Sequence, residues 1–279
     1  MKIYYDNNVF NSTITSSTEN PLFPFELGLQ DTRLTRVGRT LGKLNQSIVF
    51  YNANGFTTNF GYISNANISP TASVKLQFAE TDVWTTPAAS YDMAYSSDGY
   101  WTVEVDEDVQ NNLADEIGDL NVDEVGDFLV EEYNVNLFPY QYCRILIDDI
   151  SNVDGYIQIG YVFFGYPLVM PGMSPDQAIP FTSNDEVTKS ISGQIFADIR
   201  VKLKGGKVVF PVIEESKRQE VITFYTSVGR AIPFLLMFWE DDLDVEPPLY
   251  CALTKDIENS KNPQEGLTWT TTIEVEECK

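Results

Sequence analysis

Short runs in which large apolar residues alternate with polar ones recur along this chain, each closed by a turn-forming cluster. Ser73–Phe78 puts Val74, Leu76 and Phe78 on one side, and Gly99–Val105 does the same with Trp101, Val103 and Val105. A period of two belongs to a strand, because successive side chains leave a strand on opposite faces. Ser47–Tyr51, Asn59–Ser64, Gln141–Asp148 and Tyr156–Gly165 read the same way, with turns at Asn52–Gly55 and Asn152–Gly155. The aromatic content of 13% fits such half-buried pleated surfaces. A mainly β chain is expected.

Three breaks in the pattern divide the chain. Residues 1–32 are polar and turn-rich and read as an N-terminal arm. Residues 33–168 hold the strand runs, interrupted at 104–133 by twelve acids without a base. Leu113, Ile117 and Leu120, then Val125, Phe128 and Leu129, have helical spacing there, so one or two short helices are expected. The stretch Pro167 to Pro180 carries four prolines and marks a boundary. Residues 169–279 predict a smaller α+β domain. Arg200–Lys204 and Lys207–Val212 form a hairpin turning at Gly205-Gly206. Glu214–Val228 is a helix capped by Glu214 or Ser216, with Val221, Phe224, Tyr225 and Val228 as its apolar stripe and Gly229 at its end. Pro233–Trp239, Leu249–Leu253 and Leu267–Val275 are strands.

Several function classes fall away. Histidine is absent, which removes Ser-His-Asp and Cys-His nucleophilic machinery and His-ligated zinc. The three cysteines, Cys143, Cys251 and Cys278, make no C-x-x-C pair and read as reduced thiols, with Cys143 a small buried hydrophobe. A net charge of −23 repels phosphates and anionic membranes, so neither nucleic acid nor membrane insertion is expected. The densest basic stretch, Arg33, Arg36, Arg39 and Lys43, reads as solvated charge or a partner salt bridge. No start resembling a signal peptide and no run near the ~18–20 apolar residues of a spanning helix is seen. No P-loop, GxGxxG, G-x-S-x-G or H-E-x-x-H occurs.

The remaining candidates are weaker. Asp119-x-Asn121-x-Asp123 imitates a calcium loop, but Glu124 and Val130 stand where a glycine and a glutamate are required. No cofactor is expected, with an irregular Ca²⁺ site in the acidic stretch left open. Asp115, Glu116, Asp119, Asp123 and Phe128 are read as partner contacts. Asp241, Asp242, Asp244 and Glu246 read as a solvated loop, against a carboxylate acid/base pair. Tyr91 and Tyr95, around Ser96–Gly99, are candidate ligand contacts, while Trp101 alternates with Val103 and reads as core.

The stretches Arg36–Thr40, Ser47–Tyr51 and Gly61–Ile68 resemble the first half of the discoidin-type, galactose-binding-like modules of tailed-bacteriophage tail proteins. Cys143–Asp148 and Asp154–Gly165 resemble their closing strands, and Ser192 to Glu274 is similar to tail-associated α+β domains. The resemblance implies a jelly-roll β-sandwich at 33–168. It also implies a non-enzymatic virion component of the tail or a tail adaptor, homo-oligomeric, folded and assembled in the host cytoplasm. Its partners would be copies of itself and other virion tail proteins. A carbohydrate-binding module contacting host-surface glycans is the alternative, and a carboxylate-based glycan hydrolase the third reading.

Overall fold

The computed structural model describes residues 1–56, 58–105, 140–172, 181–182, 186–189, 195–198, 203–238, 248–261 and 268–278. The fold is mainly β. The chain divides into two compact units, Asp6–Tyr166 and Met1–Tyr5 with Pro167–Lys279.

The first unit is a sandwich of two antiparallel five-stranded sheets. One orders β2 (Thr13–Ser16), β4 (Gln46–Tyr51), β10 (Tyr142–Asp148), β6 (Ser73–Ala79) and β7 (Ala89–Asp92). The other orders β3 (Gly38–Arg39), β11 (Gln158–Gly165), β5 (Phe60–Ala66), β9 (Trp101–Glu104) and β8 (Ala94–Tyr95). The alternation anticipated for β6 and β10 is what fills the space between them. Val74, Leu76 and Phe78 meet Cys143, Ile145 and Ile147 on the inner face, and Ile63, Trp101, Val103 and Phe164 face them from the other sheet. Phe50 stands edge-on to Phe164 across the gap at 5.2 Å between ring centres. Cys143 is fully buried, and that burial pushes its thiol pKa well up.

The second unit is one sheet with a helix. Its strands run β12 (Pro167–Val169), β1 (Lys2–Tyr4), β17 (Phe234–Met237), β18 (Leu249–Leu253), β20 (Trp269–Glu277), β16 (Leu203–Ile213) and β13 (Phe181–Thr182), with β19 (Glu258–Lys261) also on β20. β14 (Glu186–Lys189) and β15 (Ile195–Asp198) pair separately. The helix, α2 (Glu215–Val228), follows α1 (Phe25–Leu29) of the sandwich in chain order. Val221, Phe224 and Val228 are buried, as the stripe predicts, and Phe224 packs edge-on against Phe234 at 5.0 Å. Glu214 stands at its N-cap without a side-chain cap hydrogen bond.

Two expectations are corrected. Residues 1–32 are not an arm. β1 pairs with both β12 and β17, and Ile3, Val9, Phe25 and Leu29 are each at most 1% exposed. The polar composition hid these anchors because they sit in elements of three to five residues, too short to show a period: Ile3 in β1, Val9 in a 3-10 turn, Phe25 and Leu29 in α1. In sequence, the sandwich is therefore an insertion between two neighbouring strands, β1 and β12, which pair at Tyr4 and Pro167. Gly205-Gly206 is not a hairpin turn either. Both lie inside β16, opposite Glu276 and Val275 of β20. A Cβ on Gly205 would come within 2.9 Å of the Val275 carbonyl oxygen, so here glycine allows close backbone approach. The register of this pair shifts between Phe210 and Ile213, around Pro211, which has no N–H to give the ladder.

The acidic insertion, with Asp115, Glu116, Asp119, Asp123 and Phe128, lies outside the described residues, as do Asp241, Asp242, Asp244 and Glu246. Among the described residues no helix is long and apolar enough to cross a membrane, and no group of three His, Cys, Asp or Glu could hold a metal ion.

Candidate functional site

At one end of the sandwich the loops 17–24, 40–45, 67–72 and 149–157 come together, and side chains bond them to one another's main chain. Lys43 Nζ donates to the carbonyls of Ile150 (2.9 Å) and Asn152 (2.7 Å). Asn152, 3% exposed, donates to Asn67 O and accepts from the N–H groups of Asp154 and Gly155. The fully buried Asp149 accepts from Ser69 N at 2.7 Å. Each bond satisfies a main-chain group that a short loop cannot pair with itself.

On this scaffold sits a row of polar side chains at the rim of the second sheet. β3 is brought in against α1: a Cβ at Gly38 would fall 2.2 Å from the Phe25 ring, so only glycine lets the strand pass. Arg39 then lies opposite Gln158 in register, and Nε donates to Gln158 Oε1 at 2.8 Å. Gln158 stands between the buried Ile157 and Ile159, so its side chain leaves on the outer face. Its N–H donates to Asn67 Oδ1 (2.7 Å), and Asn67 Nδ2 donates to Asp154 Oδ2 (2.9 Å) and Tyr156 O (3.1 Å). The Arg39 guanidinium is stacked on two rings, 3.9 Å from the centre of Phe23 and 5.2 Å from that of Tyr156. Such stacking is worth about 0.5–2 kcal/mol and fixes the plane of the fork. Among the described residues the terminal nitrogens of Arg39 and the amide nitrogen of Gln158 have no hydrogen-bond partner. Arg39, Gln158, Asn67, Phe23 and Tyr156 are all half-buried.

The basic stretch thus splits. Arg33 and Arg36 pair with Asp31 at 2.6 and 3.1 Å, and the Arg33 guanidinium holds the Asp31 carboxyl well below the usual range. Arg39 and Lys43 build the rim. Around them the loop tips are apolar and open: Leu22, Leu41, Leu44, Ile150 and Val153 are 83%, 64%, 45%, 78% and 96% exposed.

Tyr91 and Tyr95 sit elsewhere. Tyr91, on β7 of the other sheet, is half-buried and meets Phe78 edge-on at 6.3 Å. Tyr95 packs on Trp101 at 5.2 Å, in the strand at the opposite edge of the sheet from Arg39. Trp101 is core, 3% exposed. No pattern in the sequence joined Arg39 to Gln158, because 119 positions separate them.

No protein-family model matches the chain, and no curated protein matches it. Among solved structures, the chain is similar to a family 32 carbohydrate-binding module from C. perfringens NanJ in complex with galactose. That match has 13% identity and a TM-score of 0.37, over 59% of this chain and 98% of that one. It is also similar to the lectin domain of lectinolysin complexed with Lewis B antigen, at 7% identity and a TM-score of 0.36, over 58% and 98% of the two chains. A third is the family 32 module of AlyQ with 4,5-unsaturated mannuronic acid, at 16% identity and a TM-score of 0.35, over 59% and 97%.

Proposed function

We propose that the sandwich unit is a carbohydrate-binding module and that the Arg39–Gln158–Asn67–Asp154 rim receives a sugar residue. The alternative reading of the sequence thereby moves ahead of the structural one. The observation that carries it is the row itself. It offers fixed donors with no partner among the described residues, an acidic acceptor in Asp154, and half-buried rings beside them. A sugar presents alternating hydroxyls and an apolar C–H face, and it needs this mixture of directed polar groups and flat apolar surface. The donors are oriented before any ligand arrives, because stacking and the Gln158 bond already hold the guanidinium, which lowers the ordering cost of binding. The test is a glycan array probed with the intact chain and with Arg39→Ala. A defined subset of glycans bound by the parent, with at least a tenfold loss in the variant, supports the reading. Equal binding by both, or no glycan bound at millimolar concentration, contradicts it.

A specific observation also supports a second reading. Five large apolar side chains exposed on adjoining loops form the kind of surface that marks protein contacts. This fits assembly with copies of itself or other particle proteins, the role that the phage-tail resemblance implies. Replacing Leu41, Ile150 and Val153 together by serine separates the two. It abolishes self-association or incorporation on the assembly reading and leaves glycan binding in place on the first.

A further inference from the structure

The outer face of the other sheet carries a second constellation. In β10, Cys143 and Ile145 point inward, so Tyr142 and Arg144 point out. The register sets Val49, Arg144, Gln77 and Ser90 side by side across four strands, with Tyr51 and Tyr142 in the next outward row. The Tyr51 and Tyr142 rings lie 4.9 Å apart at 41°. Trp84, from the loop after β6, folds back so that the Arg144 guanidinium carbon is 4.3 Å from its ring centre.

Arg144 directs Nε (3.0 Å) and Nη2 to a single neutral acceptor, Gln77 Oε1, and Gln77 is held in turn by Ser90 Oγ at 3.0 Å. A guanidinium has five N–H groups, so three remain here without a hydrogen bond among the described residues. Among the described residues no acid hydrogen-bonds Arg144: Asp82 acts on it through its charge alone and accepts the Trp84 indole N–H at 2.7 Å, and Asp92 pairs with Lys75 at 3.0 Å. Hydrogen-bonded among the described residues only to an amide, Arg144 keeps one edge of its fork for an oxyanion. Partial burial lowers its pKa, so the cation gains from any anion that joins it.

We infer that this face is a second, independent binding site, for a carboxylated sugar chain. The carboxylate of one uronate residue takes the free edge of Arg144. The rings of that residue and its neighbour lie along Trp84, Tyr142 and Tyr51, the tyrosine row standing two residues, about 7 Å, along the strands from Arg144. A peptide carboxylate would use the fork but leave the three aromatic rings without a flat partner. The inference stands apart from the rim reading, since the two sites belong to opposite sheets. With both occupied, one molecule would cross-link a polysaccharide.

The test titrates the intact chain with tetragalacturonate, and separately with an uncharged glucan of equal length, following the Trp84 indole N–H by NMR. A Trp84→Phe variant assigns that signal. The expected result is saturable binding of the uronate alone, weakened by added salt. Arg144→Gln raises Kd at least tenfold, and Arg33→Gln, which removes an exposed charge elsewhere on the sandwich, leaves it unchanged. Arg144→Lys keeps the charge without the fork, so it guards against a folding artefact and still binds several-fold more weakly. The inference is overturned if tetragalacturonate leaves the indole signal unmoved at about 10 mM, if the glucan binds equally well, or if both Arg144 variants bind like the parent.

Discussion

The loop rim of the sandwich and the helix of the α+β unit are both rich in polar side chains, yet they use them in opposite ways. On α2 the polar groups pair with near neighbours in the open. Lys217 meets Glu220 at 2.6 Å and Arg218 meets Glu215 at 2.5 Å, each three residues apart. At the rim, Lys43, Asn67, Asn152 and Asp149 reach loops that lie 80 or more positions away, and they bond main-chain groups. Exposed local pairs contribute little to stability. Long-range bonds to buried main chain fix a shape. The rim is therefore built to hold side chains still across loops, whereas these two pairs tie only one turn of α2 to itself.

The largest effects lie beneath both surfaces. Phe50→Ala between the sandwich sheets and Phe224→Ala under α2 should each cost about 3–5 kcal/mol, through lost burial and a residual cavity. Calorimetry checks this, and an unchanged melting profile in either variant would place that ring outside a core. Next comes the rim. Asn152→Ala removes three hydrogen bonds at a 3% exposed side chain and should cost about 1–3 kcal/mol. Hydrogen exchange should quicken in 149–157 and 67–72 while the inner strands stay protected. Protection unchanged in both loops would erase the contrast with the helix.

Gly205→Ala tests the corrected strand. Its new methyl meets the Val275 carbonyl oxygen, and the β16–β20 pair must shift at a cost of about 1–3 kcal/mol. A stabilised variant would restore the hairpin.

The smallest effect belongs to Glu215. The Arg218 guanidinium, with help from Gln219, lowers its carboxyl pKa from the ordinary 4.5 to about 2. A depressed acid contributes stability that is present above pH 4.5 and lost as pH falls through about 2. Glu215→Gln should leave the melting temperature at neutral pH nearly unchanged and flatten the acid limb between those values. A large loss at pH 7 would show that exposed local pairs matter more here than the comparison holds.

Most of the sandwich was legible because its strands obey a period of two over six or seven residues, as in β6 and β10. The helix stripe was legible for the same kind of reason. What escaped was set by partners distant in sequence. Ile3 becomes core only through β12 and β17, and Gly205-Gly206 becomes strand only through β20. The candidate site was the least legible part. The sequence shows Arg39 as a charge, Gln158 as a polar position in a strand and Asn67 as one residue of a polar stretch after a strand. Nothing local reveals that Phe23 and Tyr156 clamp the first while the second ties it to the third. Tyr91 and Tyr95 drew attention because they are adjacent in sequence to a turn, while the chain sends them to edges away from that row.

The most direct test of the account is a nitrogen–proton correlation spectrum of the intact chain, titrated with the glycan that binds most strongly on the array. The account predicts concerted shifts of Arg39 Nε–H, the Gln158 and Asn67 side-chain amides and the main-chain amides of 149–157, saturating at one affinity. Shifts confined to the strands of Tyr91 and Tyr95, or a rim left unmoved by a glycan that binds, would contradict it.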